Sequence, residues 1–93
     1  MNNFIFQIDD ERQYEVEPFT LDARRQVEVH VQFCFLSRNT WHPVHVARLC
    51  GVLGAGFWFP ATVTEQQFPE VLRKDALRAV EAAFPDLDNS PPG

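Results

Sequence analysis

The chain has 93 residues, enough for one domain with one modest core and too few for a deep, enclosed active site. Apolar residues make up 45% and charged residues 23%, near the globular average, which excludes a disordered body. Thirteen acids against eight bases give a formal net charge of −5, which disfavours phosphate-driven nucleic-acid binding and suits a basic protein partner.

The opening MNNFIFQIDDERQ has no positive n-region and no long apolar h-region, so no secretory signal is read there. No apolar run approaches the ~20 residues of a membrane span. A cytoplasmic location without membrane contact is expected, with Cys34 and Cys50 as reduced, structural thiols.

In chain order, Phe4, Phe6 and Ile8 alternate with Ile5, Gln7 and Asp9, the period of a strand. Asp9-Asp10-Glu11 makes a turn. Tyr14 and Val16 then alternate with Glu15 and Glu17 until Pro18 interrupts, and a proline there marks an edge or an end. Residues 21–25 turn the chain. VEVHVQFCFL (27–36) is the strongest strand, with Val27, Val29, Val31, Phe33 and Phe35 on one face.

The second half reads as helical. Pro43 suits a helix N1 position and Gly54 a C′ position, which predicts a nearly all-apolar helix over VHVARLCGVLG. Phe57 to Val63 could add a short strand, limited by Pro60. The final helix carries the stripe Val71, Leu72, Ala76, Leu77, Val80, Ala83, Phe84, with Phe68 before it and Pro85 as its stop. Its start is ambiguous, because Thr64-x-x-Gln67 resembles a capping box whereas Pro69 prefers the first helical position.

The expected fold is α+β: an antiparallel three- to four-stranded sheet with two helices packed on one face, in the order β-β-β-α-(β)-α. Residues 1–85 form the single domain, and 86–93 (DLDNSPPG) a flexible C-terminal tail.

The residues most capable of chemistry are His30, Cys34, His42, His45 and Cys50, all within 21 residues. On a strand His30 and Cys34 stand roughly 13 Å apart. On a helix Cys50 lies roughly 12 Å beyond His42. A zinc site, whose ligands sit ~2.0–2.3 Å from the ion, would have to join strand to helix. No CxxC, HExxH or nucleophile motif is present. Gly51, Gly54 and Gly56 follow a helix-like segment, the wrong polarity for a phosphate loop. Asp9, Asp10 and Glu11 are solvated in a turn, with nothing to separate two carboxyl pKa values. No catalytic residue, metal ligand or cofactor is therefore assigned, and the chain is expected not to be an enzyme.

What remains is aromatic surface and acid. Trp41, Phe57, Trp58 and Phe59 flank the apolar helix, and alternation puts Trp58 on the face opposite Phe57 and Phe59. Glu15 and Glu17 lie on one face of an expected edge strand, open to a partner sheet or a basic surface. The expected function is a non-enzymatic protein-binding domain of inhibitor, immunity or adaptor type, with a homo-oligomer among its forms. The expected contact residues are Trp41, Phe57, Trp58, Phe59, Glu15 and Glu17. A small metal-dependent or Cys-His enzyme is the second reading. Nucleic-acid binding through Arg24, Arg25, Arg38 and Trp41 is the third and is disfavoured by charge.

Overall fold

The computed structural model of the chain describes residues 3–17, 20–21, 26–52 and 55–84. The strands are β1 (Phe4–Gln7), β2 (Arg12–Val16), β3 (Thr20–Leu21), β4 (Gln26–Ser37), β5 (Thr40–Val52) and β6 (Gly56–Trp58). One helix follows, α1 (Glu70–Ala83). All pairings are antiparallel, in the order β1-β2-β4-β5-β6, with β3 beside the start of β4.

This corrects the expected three- to four-stranded sheet with two helices packed on one face: the described residues form six strands and a single helix. Residues 43–52 are not a helix but part of the long strand β5, which pairs with β4 from Thr40 to Val52 apart from one irregularity. The hairpin between them closes on Arg38 and Asn39, both with positive φ (53° and 62°). Two such residues in a two-residue loop are the geometry of a type I′ turn, whose twist matches that of the flanking strands. Pro43 is then not a helix N1 residue. It sits opposite Cys34, where the register shifts between Phe33 and Cys34. The shift leaves Val44 without a partner on β4, and proline is tolerated at such irregularities.

The β2 expectation is corrected too. Glu15 lies on an interior strand, because β2 pairs with β1 on one side and β4 on the other. Among the described residues the sheet's edges are β1 and the short β3 on one side, and on the other β6 with the stretch of β5 that β6 does not reach. The anticipated turn over 21–25 begins with β3 at Thr20–Leu21, and its remainder lies outside the described residues. Pro18, Gly54, Pro85 and the tail 86–93 also lie outside them. Of Phe57–Val63 only Phe57 and Trp58 are strand, the last two residues of β6.

The core lies between one sheet face and α1. Tyr14, Val16, Val29, Val31 and Leu49 are almost fully enclosed, with Phe68, Ala76, Ala79 and Val80 from the helical side. Tyr14 ties the layers together, its hydroxyl donating to the Leu72 carbonyl at 3.1 Å. Gly51 is required where it stands, since a Cβ there would come within 2.6 Å of the Phe57 ring.

Both signals at the helix start are used, at different places. Thr64 and Gln67 bond reciprocally, Thr64 N–H to Gln67 Oε1 at 3.0 Å and Gln67 N–H to Thr64 Oγ1 at 3.4 Å, but around a turn ahead of the helix. That turn buries Phe68 completely. Pro69 is the cap residue, and the Glu65 carboxylate accepts the Glu70 N–H at 2.9 Å, where negative charge favours a helix N-terminus.

Candidate protein-binding face

Alternation assigns the side chains of the other sheet face, which α1 leaves uncovered. Across the ladder it carries Ile5 and Gln7, Gln13 and Glu15, then Glu28, His30, Gln32 and Cys34. On the far side lie Val46, Arg48, Cys50 and Trp58. It has two dissimilar ends.

Near β1 and β2 the surface is closed. Cys34 is 1% exposed although it faces away from the helix. Its thiol donates to Glu15 Oε2 at 3.2 Å, and the Gln13 amide reaches the same oxygen at 3.5 Å. Burial, and then the adjoining carboxylate, push the Cys34 thiol up to about 12. It is a protonated donor at neutral pH, the reverse of an activated nucleophile.

Near β6 the surface is open. Trp58 is 46% exposed and stands opposite Cys50. Beside it a half-open hollow of about 320 Å³ is lined by Gln26, Glu28, Arg48, Cys50 and Gly51. Arg48 Nη1 reaches Glu28 Oε1 at 3.3 Å. The same oxygen lies 3.5 Å from His30 Nε2, and His30 Nδ1 lies 3.9 Å from Glu17. Exposed pairs of this kind contribute little to stability and leave the charges available to a partner. Among the described residues this face offers the carboxylates Glu15, Glu17 and Glu28 against the single guanidinium of Arg48.

The six expected contact residues are not brought together. Trp58 is on the uncovered face, and Phe57 and Phe59 pack against the core, Phe59 with its ring 5.2 Å from Phe68 and 5.6 Å from the Arg73 guanidinium. Trp41 stands nine positions along β5 from the residue opposite Trp58, roughly 30 Å away. Glu15 is engaged with Cys34, whereas Glu17 approaches His30. The structure sets Glu28, Arg48 and Cys50 around Trp58 instead. Only the β5 strand assignment would have brought them there.

The histidines and cysteines also disperse. His45 is on the helix-covered face, 6.3 Å from the Phe33 ring and 6.0 Å from Phe68. His30 and Cys34 are on the opposite face, and His42 is paired with Phe35 near the hairpin tip. Among the described residues no group of three or more His, Cys, Asp or Glu side chains is placed to hold a metal ion. No described helix is long and apolar enough to cross a membrane. No family model, curated protein or solved structure matches this chain.

Proposed function

We propose that this chain is a non-enzymatic protein-recognition domain whose contact surface is the uncovered sheet face, with Trp58 as its anchor. The observation that carries the reading is Trp58 itself, a half-exposed tryptophan beside an open hollow rimmed by Glu28 and Arg48. Tryptophan and arginine are over-represented among residues that dominate binding energy, and a neighbouring cavity gives a partner side chain somewhere to enter. The carboxylates Glu17 and Glu28, with the net charge of −5, favour a partner presenting Lys or Arg. The raised pKa of Cys34 supports the non-catalytic reading.

The test is affinity capture from the native host with the wild-type chain, Trp58→Thr and Val71→Ser. Val71 is 81% exposed on the helix and controls for loss of an arbitrary surface apolar group. Trp58→Thr removes about half of a tryptophan's burial, roughly 2–3.5 kcal/mol, which a domain of ordinary stability survives. A polypeptide retained by wild type and Val71→Ser but lost with Trp58→Thr supports the reading. Retention indifferent to Trp58 opposes it. Sedimentation velocity adds the oligomer arm: a dimer abolished by Trp58→Thr makes a second copy the partner.

A further inference from the structure

We propose that the open edge of β1 accepts an extended segment of a partner protein as an added antiparallel strand, oriented by basic residues at that segment's N-terminal end.

The backbone supplies the first part. Ile8 N–H donates to the Arg12 carbonyl at 2.9 Å, so Phe4, Phe6 and Ile8 turn their backbone groups toward β2. By alternation Ile5 and Gln7 turn theirs outward, away from any strand among the described residues. These are two N–H donors and two C=O acceptors in ladder spacing. The flanking side chains Phe4, Ile5 and Ile8 are 39%, 46% and 37% exposed. β1 lacks the charge, proline or bulge that protects a sheet edge. The β5 edge does carry such protection, with Pro43, the register shift and the Pro60–Val63 segment lying across Val46 to Arg48.

Charge supplies the second part. The turn after β1 is acidic, and an open hollow of about 500 Å³ there is lined by Asp9, Asp10, Glu11, Arg12 and the exposed Phe35. Arg12 is taken up by Asp9, which leaves Asp10 and Glu11 to face a partner. In an antiparallel addition the incoming N-terminal end lies beside the C-terminal end of β1, so a Lys or Arg there meets these carboxylates. A second copy is a poor occupant. The edge is only four residues long, roughly 13 Å, far short of a standard dimer interface, and both copies carry a net charge of −5.

Two synthetic nine-residue peptides test this on the whole chain: two lysines followed by alternating valine and threonine, and the same peptide with two glutamates in front. Anisotropy gives affinity and amide-resolved NMR gives location. The expected result is tighter binding of the lysine peptide by at least ~5-fold at low salt, with shifts centred on residues 4–11. Ile5→Pro removes one outward N–H and should weaken binding at least ~10-fold, whereas Ile5→Thr should keep it. The double variant Asp10→Lys with Glu11→Lys should reverse the preference between peptides. It lies in an exposed turn and remains informative if Ile5→Pro fails to fold. Equal affinity for both peptides, no binding by ~1 mM, shifts centred on Trp58, or a β1-mediated dimer would each overturn the proposal. The Trp58 reading is untouched by any of these except the shifts at Trp58, which would favour it.

Discussion

Alkaline unfolding should turn on Cys34. Its thiol is shut away from water and faces the Glu15 carboxylate, which together push its pKa from an ordinary 9.0 up to about 12. Between those two values the unfolded chain gives up the proton while the folded chain keeps it. Stability is therefore complete below pH 9 and is lost as pH climbs toward 12, because the folded state binds more protons. Integrated from pH 8 to pH 10, the loss is about 1.4 kcal/mol. Tyr14, raised from 10.0 to about 12 by burial and then by the charge of Asp75, adds about 0.4 kcal/mol over the same span. Cys34→Ala removes the larger share and leaves Tyr14 and Cys50 in place. Urea midpoints at three pH values across that range read the difference. Wild type should lose about 1.4 kcal/mol more than the variant between the ends of the range, whatever their offset at neutral pH. Parallel curves for the two proteins would refute the burial and pairing assigned to this thiol.

The β5 strand makes a sharp contrast. Leu49→Ala should cost about 2–5 kcal/mol in urea unfolding, while the exposed Val46→Ala should cost well under half of that. Similar losses at both sites would argue against the alternation. Gly51→Ala drives a methyl into the Phe57 ring and should destabilise by about 1–3 kcal/mol, visible as a lower thermal midpoint. Under native conditions a thiol reagent should modify the part-exposed Cys50 and spare Cys34 until denaturant is added; two equally fast thiols would contradict the assignment.

Much of the sheet was legible, and the loss at β5 has a physical cause. Strands β1, β2 and β4 each pair one apolar face with one more polar face, so period two shows in the sequence. The helix over Glu70–Ala83 is equally readable, with a clean apolar stripe and Pro69 at its cap. In β5 the helix-covered face holds His45, Ala47, Leu49 and Gly51, and the other holds Val44, Val46, Arg48, Cys50 and Val52. With apolar residues on both faces, no alternation survives, and Ala, Leu and Arg lend a helical flavour. Two signals pointed the other way: the density of Val44, Val46 and Val52, and Asn39 placed for a two-residue hairpin loop. Because β5 was read as a helix, the site was only partly legible. Trp58 and its outward orientation follow from local alternation, whereas Glu28, Arg48 and Cys50 reach it only through the pairing of β4, β5 and β6. The nearly all-apolar helix expected over VHVARLCGVLG disappears with it. Leu49 and Ala47 are buried by the core, and Val44 and Val46 remain as exposed strand residues.

The recognition role of the open sheet face is tested most directly by calorimetric titration of the captured polypeptide into wild-type chain and into Trp58→Thr. An anchoring tryptophan accounts for at least about 2 kcal/mol, so the dissociation constant should rise at least ~30-fold in the variant. Matching constants for the two proteins would contradict it.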